Sequence, residues 1–124
     1  MKTIDLPATN FTPEVKYSED GKLLIRGRSI SHNEISFYQP LIEWAGTVKN
    51  NRLIVDINLE YINSGSSKKL LTLLKALNTN VYVKSLIVNW HYEEGDEDTF
   101  VKGQLFEESL PKAEFRFHKK DEAD

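Results

Sequence analysis

The sequence predicts a single α/β domain with a mixed, mostly parallel sheet, an N-terminal antiparallel hairpin and about three helices. After the hairpin, segments with helical spacing alternate with segments with strand spacing, which indicates crossover connections between parallel strands. The length of 124 residues suits one domain. The hydrophobic fraction of 40% and charged fraction of 28% are typical of a folded chain. We place the domain at residues 1–118 and expect residues 119–124 to form a flexible C-terminal tail.

The first predicted element is a hairpin over residues 15–27. Val15 and Tyr17 alternate with polar residues, as in a strand with one buried face. Asp20-Gly21 is a strong turn signal, and the apolar run that follows it is broken at Gly27. Two strands joined by a tight turn pair in an antiparallel manner, so this hairpin forms the antiparallel edge of the sheet.

An interrupted helix is predicted next. Ser31 and Asn33 are candidate N-caps. Pro40 argues against one continuous helix, because a proline inside a helix removes a backbone hydrogen bond and crowds the preceding turn. We therefore expect a short helical turn followed by a second helix that begins near Pro40 and ends near Gly46.

The clearest strand signal covers Leu53–Leu59, where apolar residues alternate with polar ones. Ile54 lies on the otherwise polar face, which suggests partial cover on both sides of the sheet. A loop is expected at Asn63–Ser67, followed by a helix with a buried leucine stripe. The stripe has the spacing of one helix face and consists of Leu70, Leu73, Leu74 and Leu77.

The last third of the chain predicts strand, helix and strand. Val81–Trp90 is a strand candidate, and an acidic run over Glu93–Asp98 precedes a third helix. That helix ends at Leu110-Pro111, and alternation around Phe115 and Phe117 predicts a last short strand.

Composition excludes several classes of function. The net charge of -3 and the scattered basic residues argue against a nucleic-acid binder, which needs a basic face. The absence of cysteine excludes disulfides and thiolate metal sites. No apolar run approaches the roughly 20 residues that span a bilayer, and residues 1–10 lack a signal-peptide pattern. We expect a cytoplasmic protein that binds neither nucleic acid nor membrane.

The segment Leu59–Lys68 is the candidate functional site. It joins the carboxyl end of a predicted strand to the start of a helix, where sites in open α/β sheets concentrate. The first turn of a helix stabilises anions, so the hydroxyls of Ser64, Ser66 and Ser67 are candidate phosphate acceptors. A phosphate on Ser64 would add about -1.5 to -2 charges, which a partner that docks there with an acidic or apolar surface could not tolerate. The alternative is that these serines and Gly65 are only caps and turn formers.

The acidic run and the three histidines are two further features that could form a functional site. The acidic run can be a helix cap, a metal site or a partner-facing edge, although it lacks the spacing of a calcium-binding loop. His32, His91 and His118 are far apart in sequence, and no Gly-x-Ser-x-Gly elbow is present. If Ser64 and His91 were brought together by neighbouring strand ends, they could act as nucleophile and base. A small serine hydrolase that uses Ser64 is therefore an alternative hypothesis.

Three segments in order along nearly the whole chain resemble one known family. They are Ala8–Val15 with Gly27-Arg28-Ser29, Phe37–Trp44, and Leu59–Lys68 followed by Val88–Tyr92 and the acidic run. In these segments the sequence resembles the SiaC family of bacterial regulatory phosphoproteins, which is similar in fold to anti-sigma-factor antagonists. The resemblance implies a STAS-like fold and a regulatory protein that is not an enzyme and needs no cofactor or metal.

The resemblance also implies the site residues and the partners. Ser64 matches the family's phosphoacceptor, which is usually Thr, and Gly65 replaces the usual Ser, so Ser66 is a second choice. A partner kinase would phosphorylate this residue and a PP2C-type phosphatase would reverse it. The unphosphorylated form would bind and activate a diguanylate cyclase or, alternatively, act on an anti-sigma factor. The residues expected at the partner interface surround Ser64 and are Tyr61, Asn63, Gly65, Ser66, Ser67 and Lys68.

Overall fold

The computed structural model describes residues 3–30 and 33–121. Ser31, a predicted cap, His32 and the last three residues of the predicted tail lie outside this part of the chain. In chain order the elements are β1 (Ile4–Leu6), β2 (Glu14–Ser18), β3 (Lys22–Ser29), α1 (Glu34–Ala45), β4 (Arg52–Ile62), α2 (Ser64–Thr79), β5 (Ser85–Glu93), α3 (Glu97–Ser109) and β6 (Ala113–Lys120).

The six strands form one mixed sheet in the order in which they occur along the chain. β1, β2 and β3 pair in an antiparallel manner, and β3, β4, β5 and β6 pair in parallel. The predicted fold class is therefore confirmed, including the N-terminal hairpin. Because consecutive parallel strands are neighbours and crossovers are right-handed, all three helices are carried to the same face of the sheet.

The hydrophobic core lies between the sheet and this helix layer. Alternate residues of β2 to β5, such as Ile25, Val55 and Val88, form one cluster with the buried leucines of α2. Leu24, Ile54 and Ile87 point to the other face and lie outside that cluster. Partial cover of this second face is present, since Ile87 is buried and Ile54 half-buried, but the helices that were expected to provide it lie on the other side because of the sequential strand order. We call this second face the open face.

α1 is one continuous helix with Pro40 inside it, so the predicted interruption was wrong. Proline removes one N–H, whose acceptor in a regular helix would be the carbonyl of Ser36, and Ser36 is exposed to water. On the opposite side of the helix Tyr38, Leu41 and Ala45 are buried in the core. We attribute the continuity of the helix to this packing, which outweighs the missing hydrogen bond.

The strand expected from Val81 begins only at Ser85. The preceding residues form a turn held by Asn80, whose Oδ1 accepts the N–H of Tyr82 at 2.9 Å. The Nδ2 of Asn80 donates to the carbonyls of Ala45 (2.9 Å) and Val48 (2.8 Å). Because of these contacts with α1 and the loop after it, residues 81–84 form a turn, although their apolar composition favours a strand.

The last strand is longer than predicted. Phe115 and Phe117 lie in β6 as expected, but the strand continues through Lys119 and Lys120, which pair with Tyr92 and Glu93. These two residues of the predicted tail therefore belong to the sheet.

In the described part of the chain, no helix combines the length and apolar character needed to cross a bilayer.

Candidate functional site

Ser64 is the first residue of α2 and directly follows the residue that caps the helix. The cap is Asn63, whose Oδ1 accepts the N–H of Ser66 at 2.8 Å. The backbone N–H of Asn63 donates to the carbonyl of Ser29 at 3.0 Å, which fixes the cap to the end of β3. The loop expected over residues 63–67 is thus reduced to one residue, because Asn63 starts the helix early. Ser64 is exposed, and within the described residues its hydroxyl has no hydrogen-bond partner.

The three serines of this turn differ in exposure. The side chain of Ser64 is exposed, that of Ser66 is completely buried, and Ser67 is half-buried. The hydroxyls of Ser66 and Ser67 are shielded from solvent and have no hydrogen-bond partner within the described part of the chain. Of the three candidate hydroxyls in this turn, that of Ser64 belongs to the exposed residue.

The other predicted interface residues lie around Ser64 but are not equally accessible. Lys68 is exposed one helical turn after Ser64, and Tyr61 is 63% exposed at the end of β4. Asn63 and Gly65 are half-buried. The exposed part of the predicted interface therefore consists of Tyr61, Ser64 and Lys68.

A cation that the sequence did not single out lies beside Tyr61. The guanidinium carbon of Arg28 lies 5.5 Å from the centre of the Tyr61 ring, and its Nε lies 3.2 Å from a carboxylate oxygen of Glu60. The contact arises where the register of β3 and β4 shifts between Gly27 and Arg28, which brings Arg28 opposite Tyr61. The signal that could have revealed this shift is Gly27, because a glycine inside a strand often marks a bulge, and its φ is +119° here.

The electrostatic setting of Ser64 favours an anion. The helix that starts there contributes a partial positive charge at its N-terminus. α2 also carries three lysines and no acidic residue along its whole length. A phosphate at Ser64 would be close to unpaired backbone N–H groups and to Lys68, so the folded state can accommodate it.

His91 and His118 form a second polar cluster on the open face. Their rings stack with centroids 4.9 Å apart, and Nε2 of His91 lies 3.5 Å from Oδ1 of Asp56. Nε2 of His118 lies 2.9 Å from Oδ1 of Asn89. Burial lowers the pKa of His91, the hydrogen bond with Asp56 opposes this, and the charge of His118 adds to the lowering. These histidines occupy equivalent positions on neighbouring strands, a pairing that their separation in sequence does not indicate.

The structure does not join Ser64 to a catalytic base. His91 faces Asp56 and His118 on the open face, whereas Ser64 begins a helix that packs against the other face. Among the described residues no hydrogen bond links Ser64 to a histidine. The geometry thus offers no support for the hydrolase alternative.

The acidic run is divided among three structural roles. Glu93 ends β5, while Asp96 caps α3 by accepting the backbone N–H of Thr99 at 3.1 Å and its hydroxyl at 2.7 Å. Glu97 and Asp98 lie in the first turn of α3, where negative charge is favourable. Across residues 3–30 and 33–121 no group of three or more acidic or histidine side chains is arranged to hold a metal ion.

Comparison with known proteins places this geometry in context. The sequence model described as "SiaC family regulatory phosphoprotein" matches residues 6–120. The crystal structure of apo-SiaC from Pseudomonas aeruginosa is similar with a TM-score of 0.79 and 23% identity, covering 97% of this chain and 99% of that one. SiaC in its complex with the diguanylate cyclase SiaD, of which it is described as the activator, gives a TM-score of 0.77 and 23% identity, covering 95% and 98% of the two chains. No curated protein sequence matches the chain.

Proposed function

Because the chain belongs to the SiaC family of regulatory phosphoproteins, we propose that it is a binding protein switched by phosphorylation of Ser64. In the unphosphorylated form it binds and activates a diguanylate cyclase. A partner kinase phosphorylates Ser64 and releases the cyclase, and a PP2C-type phosphatase restores the binding form. The complex of SiaC with SiaD supports the choice of a cyclase as the target.

The exposed, uncommitted hydroxyl of Ser64 carries this proposal. Asn63 caps α2, so the hydroxyl of Ser64 is not needed to hold the helix. Its neighbours cannot replace it, since the hydroxyls of Ser66 and Ser67 are shielded from solvent. A kinase can therefore reach one serine of this turn without unfolding it.

The switch acts on the partner rather than on the fold. A phosphoserine has about -1.5 to -2 charges at neutral pH. The N-terminus of α2 and Lys68 stabilise that charge within the protein. A partner surface in contact with the same turn has to desolvate the phosphate or oppose it with like charge, and binding is lost as a consequence.

The acceptor is tested by incubation with the cognate kinase and ATP, followed by intact-mass measurement. We expect one phosphate on the wild type and on Ser36→Ala, in which another exposed helical serine is removed. We expect none on Ser64→Ala. A phosphate that remains on Ser64→Ala contradicts the assignment.

The switch is tested by measuring cyclase binding and the rate of cyclic di-GMP synthesis. The unphosphorylated wild type and Ser64→Ala should bind and activate the cyclase, whereas the phosphorylated wild type should do neither. Treatment of the phosphorylated protein with a PP2C-type phosphatase should restore both. Equal activation by the phosphorylated and unphosphorylated forms contradicts the proposal.

A further inference from the structure

The solvent-facing side of α2 bears a polar stripe that begins at Ser64 and contains two lysines. Lys68, Thr72 and Lys75 follow Ser64 at four, eight and eleven residues, which places them on one face of the helix. All four side chains are exposed, and the buried leucines lie on the opposite side. We call these four residues the α2 outer stripe.

The α2 outer stripe is positively charged without internal compensation. The helix contains no carboxylate, and within the described residues neither Lys68 nor Lys75 forms an ion pair. The hydroxyl of Thr72 donates to the carbonyl of Lys68 at 2.9 Å, which turns the oxygen toward the helix. By contrast, α3 carries four carboxylates and one lysine, so the helix layer is divided into a basic and an acidic part.

Exposed apolar side chains lie at the Ser64 end of the stripe. Phe11 is 60% exposed and Ile35 is 61% exposed. The carbonyl of Phe11 accepts the N–H of Ile30 at 2.9 Å. Ile30 follows Ser29, whose carbonyl accepts the N–H of Asn63. Ile35 lies in the first turn of α1, which starts from the same end of β3. Tyr61, at the end of β4, is 63% exposed. We call these three side chains, Phe11, Ile35 and Tyr61, the apolar surface.

We infer that the α2 outer stripe and this apolar surface are the docking site of the target, and that the target presents carboxylates along α2 and apolar side chains at the Ser64 end. This inference rests on the proposed function and adds the chemistry of the partner. Ser64 begins the stripe and follows Tyr61 by three residues, so a phosphate there neutralises the adjacent lysine and faces the target's own acidic residues.

A protein partner fits this surface better than a nucleic acid does. Nucleic-acid binding requires several cations that follow the phosphate backbone, whereas the stripe offers two lysines and the chain has a net charge of -3. Exposed apolar side chains beside a charged stripe are typical of protein interfaces, in which an apolar centre is surrounded by polar contacts.

The inference is tested by measuring the affinity of the purified cyclase for charge-reversed variants. Lys68→Glu combined with Lys75→Glu should weaken binding by roughly tenfold or more, because two attractive contacts become repulsive. Lys84→Glu, at an exposed lysine on the loop before β5, is the matched control and should bind like the wild type. Tyr61→Ser should also weaken binding, whereas Leu105→Ser, at an exposed leucine of α3, should not.

Circular dichroism should be unchanged in all variants, which separates a lost contact from a lost fold, and the affinity is compared between unphosphorylated proteins so that an altered kinase site does not enter the comparison. If phosphorylation abolishes cyclase binding but the double lysine variant binds like the wild type, the docking site is wrong and the proposed function stands. If the wild type binds no cyclase, or if phosphorylation has no effect, the proposed function fails and the docking site fails with it. Lysine-dependent binding of duplex DNA or single-stranded RNA by the wild type would also overturn the inference.

Discussion

The side chain of Asn63 accepts the backbone N–H of Ser66 at 2.8 Å, and through this contact the residue before Ser64, the proposed phosphate acceptor, defines the start of α2. Ser64 is thereby placed in the first turn with its hydroxyl directed to solvent. The cap and the acceptor are adjacent but separate residues, so substitution can alter one and leave the other in place.

Asn63→Ala should lower the free energy of unfolding by about 1 kcal/mol, the usual cost of losing a side-chain cap. Urea denaturation monitored by circular dichroism measures this change. Asn63→Asp is the matched control, because its carboxylate can accept the same N–H and should retain most of the stability. Equal stability of wild type and Asn63→Ala would mean that the cap does not hold the first turn.

Ser66→Ala should leave the protein as stable as the wild type or stabilise it by up to about 1 kcal/mol. The hydroxyl of Ser66 is buried without a hydrogen-bond partner within the described residues, so its removal relieves a desolvation cost. Ser66→Asp is the opposite test and should destabilise strongly, since it buries a charge without a partner. A loss of more than 1 kcal/mol in Ser66→Ala would contradict the absence of a partner.

The order of elements from β2 onward could be predicted because it depends on local signals, whereas β1 was missed because its three residues carry no strand pattern of their own. Strand alternation, the leucine stripe of α2 and the polar junction before it are visible along the chain. The errors lie where distant contacts decide the outcome. Asn80 forms a turn by bonding to carbonyls of Ala45 and Val48, and the packing of α1 carries that helix through Pro40. The stacked pair of His91 and His118 depends on strand register, which the sequence pattern does not define.

The pKa of His91 should lie below its ordinary value of 6.5, because burial disfavours the charged ring. A lowered pKa means that the unfolded state binds the proton more readily than the folded state. The contribution of His91 to stability is therefore complete above pH 6.5 and is lost as the pH falls below that value. Urea midpoints at pH 7.5 and pH 5.5 should show this loss, and a His91→Gln variant should show a smaller one.

NMR titration of the His91 ring provides a direct measurement. In Asp56→Asn the pKa of His91 should fall further, because the hydrogen bond and charge of Asp56 raise it in the wild type. In His118→Gln it should rise, since the positive charge of His118 lowers it. Shifts in the opposite directions would show that the two strands do not hold these side chains as described.

Gly103→Ala should destabilise the protein by about 1–3 kcal/mol through overpacking. Gly103 faces the sheet, and a methyl group there would lie 2.6 Å from Nε1 of Trp90 and 2.8 Å from Cε1 of Phe117. Trp90 cannot move aside at low cost, because it is buried and its Nε1 donates to the carbonyl of Thr99 at 2.9 Å. Gly46→Ala is the matched control: its methyl group would meet one atom at 3.5 Å and the backbone is helical, so stability should change little. Urea denaturation with tryptophan fluorescence measures both, and equal stability of the two variants would mean that α3 does not pack closely on β5 and β6.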